Sequence, residues 1–123
     1  MMKFKKVRLL DIADIEFRAK QGKIYPKGAI LAQISASRGQ LVYLREESEV
    51  GSKYAVILPK AEYQGYYLFC IMSQSYRQFF ERYKQGLNFV PQDLTKFELT
   101  IHTKKKTREI IARMFAYYGD SNE

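Results

Sequence analysis

Hydrophobic and polar positions along the chain change their period several times, and each change predicts an element. Residues 3–7 suit an opening strand. Leu9, Leu10, Ile12, Ala13 and Ile15 then form an apolar cluster that fits one helical turn or a strand entry, because periodicity does not separate the two at this length. Tyr25-Pro26-Lys27-Gly28 predicts a turn, since proline fixes φ and glycine accepts a positive one. Residues 29–35 follow as a strand, with Ile30, Ala32 and Ile34 on one face and Leu31 and Gln33 on the other. After a turn at Arg38-Gly39, residues 40–45 alternate as a strand, and residues 54–58 are a nearly continuous apolar run closed by Pro59. The polar stretch between them, residues 46–52, makes an antiparallel pair of these two strands the economical arrangement.

From residue 66 to residue 83 the period becomes helical: Leu68, Ile71, Met72, Tyr76, Phe79, Phe80 and Tyr83 form one broad apolar stripe, which Gly86 is expected to end. Such a stripe is far more often core than a platform for stacked bases. A turn-like segment at residues 90–93 leads to an alternating strand at residues 97–101. Thr103 or Thr107 can cap a final helix through Tyr118, with Ile110, Ile111, Met114 and Phe115 as its stripe and Gly119 as its end. These elements predict an α+β fold: a mixed or mainly antiparallel sheet of about five strands packed by a central helix, with a C-terminal helix.

Composition narrows the class. A chain of 123 residues makes one domain that buries roughly two thirds of its unfolded surface, without need of a metal or disulfide. The apolar runs fall far short of the ~20 residues that span a bilayer, and Lys3, Lys5, Lys6 and Arg8 interrupt any signal-peptide core, which predicts a cytoplasmic protein. Cys70, the single cysteine, lies between Phe69 and Ile71 and reads as a small buried hydrophobe. With His102 the single histidine, neither a Cys/His zinc site nor a Ser-His-acid set is in prospect.

Charge adds more. The net charge is +8, and residues 17–45 hold Arg18, Lys20, Lys23, Lys27, Arg38 and Arg45 with no acid among them. Like charge collected without neutralising partners repels itself, so an external polyanion is expected, nucleic acid first. Acids gather in two groups, Asp11, Asp14 and Glu16 in one and Glu46, Glu47 and Glu49 in the other. Neither group offers the carboxylate and lysine pattern of a Mg²⁺-dependent nuclease. No GxGxxG or phosphate-binding loop occurs, and Asn88-Phe89-Val90-Pro91 only faintly imitates a methyltransferase segment. The expectation is a non-catalytic chain with no cofactor that binds double-stranded DNA. Lys20, Lys23, Lys27 and Lys53 would neutralise phosphates, with Arg45 adding to the basic surface. Arg38, Gln33 and Gln40 suit base edges, because arginine brackets guanine and glutamine pairs with adenine. Two other readings are a protein-interaction module acting as decoy or regulator, and an RNA-binding domain, which charge alone does not separate from a DNA-binding one.

The order of motifs carries a resemblance. RLLDIADIE at residues 8–16, YPKGAILAQIS at 25–35, KYAVILP at 53–59, GYYLFCIMSQS at 65–75 and GLNFVPQDLTKFELTI at 86–101 resemble a target recognition domain of the specificity subunit of type I restriction-modification enzymes. The resemblance implies a domain that reads DNA through the major groove. It also implies helices that join two such domains and dock methyltransferase subunits. Residues 1–103 would form the recognition domain and residues 104–123 a short interaction helix. A proline-rich lead into that helix is replaced here by Ile101-His102-Thr103-Lys104, and the helix runs for about four turns of 3.6 residues. A dimerising half-subunit, a small accessory protein and a degenerate remnant all fit this pattern. Ile111, Met114, Phe115 and Tyr118 are the expected contact residues for a homodimer or for methyltransferase or restriction subunits.

Overall fold

The computed structural model describes residues 3–34, 40–84 and 89–121, with side chains described to residue 116. The apolar cluster that the sequence left open between helix and strand becomes both in turn. Strand β1 (Phe4–Arg8) leads into the single helical turn α1 (Leu9–Ile12), and β2 (Ala13–Glu16) follows at once. Asp11 closes α1 by accepting the Arg8 backbone N–H at 3.0 Å. The chain continues through β3 (Ile24–Tyr25), β4 (Ile30–Gln33), β5 (Leu41–Tyr43), β6 (Ser48–Glu49) and β7 (Tyr54–Pro59). After them come helix α2 (Gly65–Tyr83), a 3₁₀ helix at Pro91–Lys96, β8 (Glu98–His102) and helix α3 (Lys105–Ser121).

All described pairings are antiparallel. The main sheet runs in the order β2-β7-β4-β5, β1 pairs with β8, and β3 pairs with β6. The expected pairing of residues 40–45 with residues 54–58 does not form, because β4 lies between them and bonds to both. The polar residues 46–52 are not a hairpin loop either. Their Ser48–Glu49 segment crosses to pair with β3, which the sequence pattern did not single out.

Strand β4 shows why. Ile30, Ala32 and Ile34 enter the larger core with Ile57, Leu68, Met72, Tyr76 and Phe80, while Leu31 faces a smaller core of Ala19, Tyr25, Val50 and Val56. A strand buried on both faces belongs in the middle of a sheet. The α2 stripe packs on the larger core as expected, with Tyr67 fully buried beside it and Phe79 and Tyr83 at its margin. Helix α2 ends at Tyr83, with Lys84 extended; Gly86 lies outside the described residues. Helix α3 continues past Gly119, which therefore does not end it, and Lys104 directly precedes its first residue.

One contact sets how closely α2 approaches the sheet. Gly28 adopts φ +96 in the turn before β4, and a Cβ on Gly65 would lie 2.4 Å from the Gly28 carbonyl oxygen. The first turn of α2 sits at this distance only because Gly65 has no side chain.

Candidate nucleic-acid interface

Antiparallel register assigns each sequence-predicted residue to an end of the main sheet. Gln33 pairs with Tyr54 at the end of β4, Gln40 precedes β5, and Lys53 precedes β7, so these three share one end. Two further segments join them there. The Ala19 N–H donates to the Tyr54 carbonyl at 2.9 Å, which brings Arg18 alongside, and the Phe89 N–H donates to the Ile34 carbonyl at 3.1 Å. Ile34 in turn donates to the Lys53 carbonyl at 2.7 Å. The result is a cleft of about 420 Å³ whose lining includes Arg18, Ser52 and Lys53 on one side and Val90 and Pro91 on the other. The Arg18 guanidinium donates to the Ser52 carbonyl at 3.0 Å. That bond fixes the side chain and leaves most of its donors for a ligand. Arg18 was visible only as one charge in a basic run. Its placement depends on the long-range bond from Ala19, which has no local signature.

Lys27 and Arg45 lie at the other end of the same strands, where the Gly28 N–H donates to the Leu44 carbonyl at 2.8 Å. The length of β4 and its approach, six steps of at most roughly 3.3 Å each, separates Lys27 from Gln33 by up to about 20 Å. The eight expected DNA-binding residues therefore do not form one cluster. Arg38 falls in residues 35–39, outside the described residues.

Lys20 and Lys23 lie in the segment that folds back beneath the sheet, and here the apparent lack of acids disappears. Lys23 pairs with Glu16, whose carboxylate also accepts the Tyr25 hydroxyl, and that hydroxyl accepts the Lys20 backbone N–H at 2.8 Å. Hydrogen bonds from Lys23 and then Tyr25 hold the Glu16 carboxyl below its ordinary pKa, and the same pair raises that of Lys23. Burial, followed by the Glu16 contact, raises the Tyr25 phenol. The β3–β6 pairing also sets Glu49 opposite Ile24. Lys23 thus has its neutralising charge inside the protein, supplied from outside the 17–45 run.

Elsewhere a groove of about 320 Å³ includes Lys6, Arg82 and Lys96, and acids accompany the two lysines. Lys96 lies 3.1 Å from Asp93, and Lys6 lies 3.9 Å from Glu98. The Arg18–Lys53 cleft has no acid in its lining among the described residues. Among the described residues no three His, Cys, Asp or Glu side chains are grouped to hold a metal ion. Cys70 is half-buried, and burial pushes its thiol pKa up.

Helix α3 docks by its first turns. Arg108 is nearly buried, donates to the His102 and Thr103 carbonyls at 3.0 Å each, and lies 4.8 Å from the Tyr63 ring centroid. Below it the buried Tyr67 hydroxyl accepts the His102 N–H at 2.8 Å and bonds His102 Nδ1 at 2.7 Å. Ala112 is buried and Ile111 packs on the core, whereas Ile110, Met114 and Phe115 are exposed. The Tyr118 side chain lies outside the described ones. Of the expected contact residues, Met114 and Phe115 are presented to solvent and Ile111 is largely committed to the domain.

No protein-family profile matches this sequence, and neither does any curated protein. Solved structures do match in fold. The S subunit of a type I restriction-modification system from M. genitalium superposes with a TM-score of 0.81 at 13% identity, over 97% of this chain and 40% of that one. The HsdS subunit from Thermoanaerobacter tengcongensis gives 0.68 at 12% identity, over 96% of this chain and 37% of that one. A chain from a structure of type I restriction-modification complex assembly and conformational transition gives 0.74 at 14%, over 96% and 38%. This chain has the fold of part of a type I specificity subunit and spans about two fifths of the length of these relatives.

Proposed function

We propose that this chain is a sequence-specific duplex-DNA recognition module of the type I specificity kind, without catalysis of its own and acting in the cytoplasm. The observation that carries the reading is the fold shared with an S subunit over 97% of the chain. The net charge of +8 and a cationic cleft with no acid among its described lining residues support it independently. Lys53 and Arg18 would hold phosphates at one end of the main sheet, and Gln33 and Gln40 stand there for base edges. Lys20, and Lys27 and Arg45 at the other end of the main sheet, would add phosphate contacts apart from this centre, and Arg38 a base contact. Residues 1–103 would form the recognition domain. The face of α3 bearing Ile110, Met114 and Phe115 would meet a second copy or a methyltransferase or restriction subunit.

Fluorescence anisotropy of labelled duplexes at several salt concentrations tests the proposal. Binding should weaken linearly in log K against log salt, because neutralised phosphates release counterions. Absence of binding at low ionic strength would overturn the DNA reading. Tighter binding to RNA of equal length would replace it with the RNA one.

A further inference from the structure

We propose that the cleft between Arg18–Ser52–Lys53 and Val90–Pro91 reads thymine, with Val90 contacting the thymine 5-methyl group and Arg18 and Lys53 holding the adjoining phosphates. The inference rests on the DNA-binding reading and adds a residue that reads a base and the group it reads. Val90 is 41% exposed, although the neighbouring Phe89 is 2% exposed and inside the core. An isolated exposed valine carries little meaning. This one lines the same cleft as two cations, with no acid among the described lining residues. A surface of that kind takes a ligand that is anionic and apolar at neighbouring points. Among the groups that a base pair presents in the major groove, the thymine methyl is the apolar one, and it lies beside a phosphate backbone.

The surrounding geometry favours readout over loose contact. Pro91 opens the 3₁₀ helix and restricts the backbone next to Val90. The Phe89-to-Ile34 and Ile34-to-Lys53 hydrogen bonds tie the two walls of the cleft to one strand end. The Ser52 carbonyl holds Arg18, so less side-chain entropy is lost when it meets a phosphate.

Selection from a random duplex pool with the full chain gives a preferred site, and each thymine in it is then replaced by deoxyuridine, which removes one methyl group. At one position the wild type should lose about fourfold in affinity, equivalent to roughly 0.8 kcal/mol for one buried methyl. Val90→Ala should bind the thymine and uracil versions of that position equally. Should the alanine variant melt early, Val90→Asn, which is of similar size but offers no methyl group, should show the same loss of discrimination. Arg18→Ala and Lys53→Ala should weaken all duplexes alike, each lowering the salt slope by about one. A site without thymine, undiminished methyl sensitivity in both Val90 variants, or wild-type affinity in the arginine and lysine variants overturns the inference while leaving DNA binding intact. Wild-type protein that binds no duplex at low salt overturns the DNA reading itself.

Discussion

Replacing Gly65 with alanine should destabilise the protein, although alanine is the better helix former. The new Cβ would lie 2.4 Å from the Gly28 carbonyl oxygen, 3.0 Å from its Cα and 3.1 Å from its carbonyl carbon. Those are backbone atoms, and they are held. Gly28 needs its positive φ, and its N–H donates to Leu44 at 2.8 Å. Relief therefore requires the first turn of α2 to withdraw by about 1 Å, which loosens the fully buried Tyr67 and Leu68 behind it. Overpacking of this kind costs about 1 to 3 kcal/mol, and the glycine-to-alanine gain, about 1 kcal/mol in a helix interior, is smaller at the first helical residue. The net expectation is a loss of about 1 to 2 kcal/mol, a fall in Tm of roughly 3 to 10 °C for a domain of this size. Thermal and urea unfolding followed by circular dichroism measure it. Gly51→Ala is the control, because its Cβ meets nothing within 4 Å and its stability should stay within about 0.5 kcal/mol. A Gly65→Ala protein that melts at or above the wild-type temperature would refute the argument.

Tyr67→Phe should cost about 1 to 3 kcal/mol in urea unfolding by stranding the His102 N–H and its Nδ1, and an unchanged midpoint would rule out a structural role for that hydroxyl. The Glu16 carboxyl has a lowered folded-state pKa, so its contribution is present above the unfolded value of about 4.3 and lost as pH falls through the lower folded one. The Tm difference between wild type and Glu16→Gln should accordingly shrink as pH is lowered from 7 to 3, and a constant difference would contradict the assignment. If α3 meets a second copy, Met114→Asp with Phe115→Asp should convert a dimer to a monomer in sedimentation with no loss of Tm, since both side chains are exposed. A wild type that is monomeric at every concentration assigns that face to another subunit.

Elements governed by local pattern were readable from sequence. The α2 stripe, the alternation from Ile30 to Ile34 and the Pro26-Lys27-Gly28 turn all appear where apolar spacing and backbone chemistry require them. Strand neighbours were another matter. Alternation tells which face of a strand is buried but not which strand lies beside it. Alternation alone therefore predicts that the β5 and β7 segments pair across a polar loop, whereas both bond to β4. The two-residue strands β3 and β6 are too short to show any period. The candidate interface was readable in part for the same reason. Charge picked out the basic run, but proximity in sequence joined Lys27 to Lys23 and missed that Glu16 neutralises the latter. Arg18 and Val90 reach one cleft through backbone bonds from Ala19 and Phe89 to distant strands.

Strand β4 is bonded along both edges and buried toward both faces, so Ile30, Leu31 and Ala32 answer to packing from every side. Arg18 and Val90 answer to almost nothing within the protein: one side chain holds a single carbonyl, and the other stands exposed. Inherited change therefore meets two unequal territories. Substitutions in the strand act first on folding, whereas on the proposed function a change at Val90 alters what is recognised and a change at Arg18 alters how tightly. Arg108 keeps α3 at a fixed bearing throughout. On the proposed function, a lineage can exchange one DNA target for another through a few point changes while its assembly partners continue to meet the same helix.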